Sequence, residues 1–208
     1  MNTRVIQTTI DRHIWACVQK TRLDVSVQQK GVLRKILQSK NPTEEDEDNC
    51  LNEIRSIAQR SKQQNGKVFE DNIKLILDDH GIEYKSQVDI DNEGNIVGFE
   101  KNNKVTKCHH RVDFVVGEAL DMSIGKSIRD YSVLSCKTTC RERWKQDTWT
   151  LSHIPKRYYL LVASDDYPVP TKFEESCVRK IITCCPKRND SRQFKYGYSE
   201  LVKDLTKY

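Results

Sequence analysis

The run RYYLLVAS, residues 157 to 164, offers water almost no polar face. A strand with one wetted face alternates apolar and polar residues, so an unbroken apolar run of this length belongs to a strand covered on both sides. Layers are therefore needed above and below a sheet, and the rest of the chain supplies them. Phe69, Ile73, Ile76 and Leu77 fall on one helical stripe that ends near Gly81, and YSELVKDL reads as a terminal helix. Further strands are read at IEYKSQVDI, which leads into the turn DNEGN, and at RVDFVVG, YSVLSCK and KIITCC. Thr139 with Glu142 forms a capping box for a helix through CRERWKQDTW, and a short helix follows Pro170. Upstream of Gly66 the spacing is helical alone: Ile10, Ile14 and Cys17/Val18, then Leu33 and Leu37, then Leu51, Ile54 and Ile57/Ala58. Thr43 with Asp46, after Pro42, caps a helix that begins in the acidic run TEEDED. The pattern predicts an α/β fold over residues 66–208, a mixed central β-sheet flanked by helices, preceded by a helical region over residues 1–65.

A chain of 208 residues holds one well-buried core. No apolar stretch approaches the ~20 residues of a membrane span, and the N-terminus lacks a secretory apolar region, so a cytoplasmic protein with no membrane partner is expected. Its eight cysteines then read as reduced thiols. Cys108, His109 and His110, with Cys184 and Cys185 further on, are residue types that zinc prefers. Adjacent residues on a strand face opposite ways, however, which argues against a shared ion. No GxxxxGK[ST] loop is present, so no nucleotide cofactor is expected. The net charge of +5 is small, but its distribution is uneven. Lys137, Arg141, Arg143 and Lys145 form one basic cluster; Lys187, Arg188, Arg192 and Lys195 form another.

The chemistry concentrates around the first cluster. Strand alternation puts Val112, Phe114 and Val116 on one face with Asp113 on the other, and sets Val133, Ser135 and Lys137 opposite Leu134 and Cys136. A strand aspartate is ordinarily a hydrogen-bonded structural residue, and a helical glutamate is ordinarily solvated. Here Asp113 and Lys137 stand at the ends of neighbouring strands, and the helix starting at Thr139 aims its free N–H groups at the same region, where an anion fits. A carboxylate facing a phosphate needs a mediating cation, and Mg²⁺ is the ion that takes one or two carboxylates, waters and a phosphate oxygen. The constellation points to a Mg²⁺-dependent phosphodiesterase. Lys137 orients or deprotonates the attacking water, or neutralises charge on the phosphoryl oxygens. Glu70, on the side of its helix opposite Ile73 and Ile76, is the candidate second carboxylate.

RVDF followed by SCKTTCRERWKQ resembles the catalytic core of PD-(D/E)XK nucleases, and KTTCRERW with its following Gln is similar to the EcoRII-like type II restriction endonucleases, over residues 66 to 185. The resemblance implies a restriction-endonuclease-like core. Asp113 and Glu70, with the Cys136 backbone carbonyl, would hold the metal; Lys137 would be the catalytic lysine and Arg143 the arginine near the scissile phosphate. Arg141, Lys145 and Gln146 would join Arg143 along double-stranded DNA. Val112 stands where the motif has proline. Ser135 stands where it has an acidic residue, a role displaced onto Glu70. The implied activity is Mg²⁺-dependent, sequence-specific hydrolysis of duplex DNA by a homodimer with one site per subunit, residues 1–65 supplying dimer or DNA contacts. A repair nicking enzyme or resolvase on the same core, a DNA-binding regulator that does not cut, and a zinc-stabilised interaction module are the alternatives.

Overall fold

The fold was described from a computed structural model, which covers residues 20, 24–39, 43–99, 110–118, 121–138, 154–163, 174, 177–178, 180–186 and 196–207. The strands are β1 (Tyr84–Ile90), β2 (Ile96–Phe99), β3 (His110–Val116), β4 (Ser132–Lys137), β5 (Arg157–Val162) and β6 (Ile181–Cys184), in the spatial order β2-β1-β3-β4-β5-β6. The β2-β1-β3-β4 half is antiparallel, while β4, β5 and β6 run parallel. The sheet is therefore mixed, and β5 is covered on both faces, as its apolar run required. Tyr159, Leu161 and Ala163 enter one core, and Tyr158, Leu160 and Val162 enter the other.

Residues 24–37 form helix α1, Glu44–Asp79 form α2 and Tyr198–Leu205 form α3. The first core joins Phe69, Ile73, Ile76 and Leu77 of α2 to Tyr198, Leu201, Val202 and Leu205 of α3 over one face of the sheet. On the opposite face the connection between β3 and β4 contributes Met122, Ile128 and Tyr131. Cys184 lies in the first core and Cys185 in the second, so the neighbouring thiols point to opposite sides of the sheet. The described cysteines, Cys50, Cys136, Cys177, Cys184 and Cys185, are not joined in disulfides. No described helix is long and apolar enough to cross a membrane.

At the start of α2, Asp46 N–H donates to Thr43 Oγ1 at 3.2 Å and Thr43 N–H donates to Asp46 Oδ2 at 2.9 Å, a reciprocal cap that satisfies two otherwise free donors. Glu44, Glu45, Asp46 and Glu47 add negative charge where the helix dipole favours it. The helix then runs for 36 residues, straight through Gly66, so the junction drawn at 65/66 lies inside a continuous element. It closes at His80 and Gly81, where φ of +63° suits glycine. Ile10, Ile14 and Cys17/Val18 lie outside the described residues; within them the upstream spacing is helical over 24–37 and from Glu44, but its leucines do not all turn inward. Leu33, Leu37 and Leu51 are exposed, while Val32 and Ile57 are buried.

One expected alternation fails. Val112 does not share a face with Phe114 and Val116: it packs with Val88 and Val133, whereas Phe114 and Val116 face α2. The cause lies in the paired strand. Ser86 pairs with Phe114 and Val88 with Val112, and between them Gln87 takes a left-handed φ of +52°. That turns the following part of β1 over, and β3 follows its partner.

Further along the same pair, Arg111 Nε and Nη2 donate to Asp89 Oδ1 and Oδ2 at 2.5 and 2.7 Å. The Asp89 side chain is 1% exposed and that of Arg111 38% exposed. Removing the guanidinium leaves a buried carboxylate without its bidentate partner, which outweighs the modest value of the pair itself. Arg111→Ala is expected to cost about 2–4 kcal/mol, less than a fully buried pair because the arginine is partly solvated. The corresponding fall in melting temperature is roughly 6–12 °C for a domain of this size. A melt within about 3 °C of the parent would show that other groups hold the Asp89 charge.

Candidate active site

Between β3 and β4 the ladder runs through Val116–Ser132, Val115–Val133 and Phe114–Leu134. Past that point β4 stays registered on β5, through Cys136–Leu161 and Lys137–Val162, and β3 turns aside. At this fork the Asp113 side chain takes over from the backbone. Its Oδ2 accepts the Cys136 N–H at 2.6 Å and the Ser135 hydroxyl at 3.4 Å. The Lys137 ammonium stands 4.0 Å from the same oxygen, and both side chains keep partial access to solvent. Ser135, found where the motif has an acidic residue, thus supports the aspartate instead of adding a charge.

Glu70 comes from α2, one residue after the buried Phe69, and is itself partly buried where that helix meets Gln87 of β1. The Gln87 carboxamide donates to Glu70 Oε2 at 3.0 Å. Burial, and then the negative charge of Asp113, hold the Glu70 carboxyl above its ordinary value, with Lys74 and Lys137 pulling the other way. Burial chiefly, then the charges of Asp113 and Glu70, also push the Cys136 thiol well up. Glu70, Asp113, Cys136 and Lys137 thus share one electrostatic neighbourhood. Two mutually repelling carboxylates in one place are a donor set that a hard divalent cation fits, since such an ion keeps several waters and needs only one or two carboxylates. Among the described residues no group of three or more His, Cys, Asp and Glu gathers as a metal cage.

The raised Glu70 carboxyl has a sign. An acid whose folded value lies above its unfolded one stabilises the fold fully below the unfolded value and loses that contribution as pH rises through the folded one. Glu70→Gln, which can still accept from Gln87, is therefore expected to melt about 2 °C above the parent at pH 8 without metal, and to show almost no gain at pH 4. An equal gain at both pH values would remove ionisation of Glu70 as the cause.

The sequence-derived residues Glu70, Asp113, Cys136 and Lys137 are brought together. Arg141, Arg143, Lys145 and Gln146, the Thr139–Glu142 capping box, the basic cluster from Lys187 to Lys195, and Cys108 with His109 lie outside the described residues. Gln87 escaped sequence reasoning: a glutamine within IEYKSQVDI reads as an ordinary solvent-facing strand position.

A family model described as "EcoRII C terminal" matches residues 25–195. Among solved structures, metal-depleted Ecl18kI in complex with uncleaved, modified DNA aligns with a TM-score of 0.51 at 14% identity, covering 100% of this chain and 84% of that one. Metal-depleted Ecl18kI in complex with uncleaved DNA aligns with a TM-score of 0.50 at 15% identity over the same shares. At such identity the likeness is one of fold. No curated protein matches.

Proposed function

Because the chain belongs to the EcoRII C-terminal family, we propose that it is a type II restriction endonuclease, a homodimer that hydrolyses phosphodiester bonds of double-stranded DNA at a specific sequence with Mg²⁺. The observation that carries this reading is the meeting of Asp113 and Lys137 at the fork between β3 and β4, with Glu70 beside them. The Ecl18kI structures are DNA complexes of a metal-depleted protein, which supports DNA as the partner and a metal as the cofactor.

Asp113 and Glu70, with the Cys136 carbonyl, would hold Mg²⁺, which supplies charge to polarise the scissile phosphate and acidify a water. The protein's own part is positional and electrostatic. Asp113 is fixed by the Cys136 N–H, so its carboxylate does not reorganise when DNA arrives. Lys137 presents an ammonium next to Asp113, where it orients the attacking water or meets charge growing on the phosphoryl oxygens. Arg143 is assigned to the phosphate, and Arg141, Lys145 and Gln146 to the duplex around it.

The test is incubation of the purified protein with long duplex DNA in Mg²⁺ and in EDTA, with the fragments resolved by size. Discrete fragments formed only with Mg²⁺ are expected, and their sequenced ends give the site. Single-strand nicks, or cutting only at mismatches and branches, would move the assignment to a repair nicking enzyme or resolvase. DNA that is bound but left intact would make the protein a DNA-binding regulator.

A further inference from the structure

Gln87 lies in the middle of β1 with φ of +52°, a left-handed conformation that strains a residue carrying a Cβ and that glycine or asparagine adopts more readily. The pairing of the strand does not call for it, since Ser86–Phe114 and Val88–Val112 keep one antiparallel register on either side. Strain of this kind persists where the surroundings over-determine it, often at functional sites. Besides turning the rest of β1 over, the conformation aims the side chain. At the level of Asp113, the Gln87 side chain crosses from the sheet to α2 and donates Nε2–H to Glu70 Oε2 at 3.0 Å. A carboxamide donor engages one carboxylate oxygen and leaves the other free to meet a cation.

We infer that Gln87 is a positioning residue of this site: from a left-handed position on β1, its carboxamide fixes the Glu70 carboxylate so that Glu70 and Asp113 face one divalent cation. The inference rests on the nuclease reading of the site. Groups that orient metal-binding carboxylates typically carry about 10–100-fold in metal affinity. At Gln87 that contribution opposes backbone relaxation. Replacing Gln87 by glycine should therefore stabilise the fold and weaken the cation site together, a combination that a merely structural residue does not give.

Gln87→Gly and Gln87→Asn are compared with the parent by thermal melting without metal, by Mn²⁺ binding to the full chain read from the paramagnetic resonance of the free ion, and by the Mg²⁺ concentration for half-maximal cleavage. The expected result for Gln87→Gly is a melting temperature about 2 °C higher, with Mn²⁺ affinity down and Mg²⁺ requirement up by at least about tenfold. If both variants keep the parent's Mn²⁺ affinity and Mg²⁺ requirement, the inference is overturned and the nuclease reading stands. If the parent itself binds no Mn²⁺ and cuts no DNA, both fall together. Should Gln87→Gly fail to fold, Gln87→Asn decides. It tolerates the left-handed backbone but carries a carboxamide one methylene too short, so parent-like Mn²⁺ affinity in it overturns the inference.

Discussion

Asp113→Asn protein is expected to cut duplex DNA at least about 10³-fold more slowly than the parent while melting within a few degrees of it. The rate effect follows from removing the charge shared by the cation and Lys137, a loss of several kcal/mol in transition-state stabilisation at about 1.4 kcal/mol per factor of ten. The small stability effect follows from the fork. Asparagine keeps an oxygen for the Cys136 N–H, now bonded to Asp113 Oδ2 at 2.6 Å, and forfeits only the charge-assisted part of that bond. Asp113→Ala would instead leave the Cys136 N–H without this acceptor, adding roughly 1–3 kcal/mol of destabilisation. Initial cleavage rates, thermal melts and retention of duplex DNA on a gel separate the two effects. Asp113→Asn protein that cuts at the parent's rate would sink the assignment of the site.

The second large effect belongs to Lys137. Lys137→Ala removes a cation 4.0 Å from Asp113 Oδ2, and the loss of one preorganised charge-stabilising group costs about 10²–10³-fold in rate. Its contribution to folding is small, because a partly solvated pair at that separation is worth under about 1 kcal/mol. Lys137→Arg is not expected to restore activity, since a planar guanidinium cannot reproduce the compact charge of an ammonium at the end of a strand. The discriminating measurement is a single-turnover rate at saturating Mg²⁺ with DNA binding measured in parallel. Lost cleavage with retained binding fits the assigned role, whereas lost binding would make Lys137 a DNA contact.

Much of this arrangement was legible in the residues because the physical signals were local. The apolar run at β5 demanded a doubly covered strand, the stripe from Phe69 to Leu77 demanded a buried helix, and Thr43 with Asp46 marked the start of α2. Asp113 and Lys137 could be paired because strand ends converge in an α/β fold. Glu70 could be named from its side of the helix, opposite Ile73 and Ile76, but only the resemblance gave it the displaced acidic role, since spacing alone does not say which turn of a helix meets a sheet. Gln87 and the turned-over Val112 were out of reach for a single reason. A left-handed residue inside a strand leaves no trace in hydrophobic alternation, and the alternation rule then assigns the next positions to the wrong side.

The length of α2 separates two kinds of motion. At ~1.5 Å per residue, Glu70 lies some 40 Å from the first turn at Glu44. The buried turns from Phe69 to Leu77 act as a fulcrum set close to that carboxylate. A tilt of roughly 5° about such a pivot sweeps the Glu44 end through about 3–4 Å, yet shifts Glu70 by only a small fraction of an ångström over a lever this short. The far tip can sway to meet whatever it touches without detuning the chemistry at the near end.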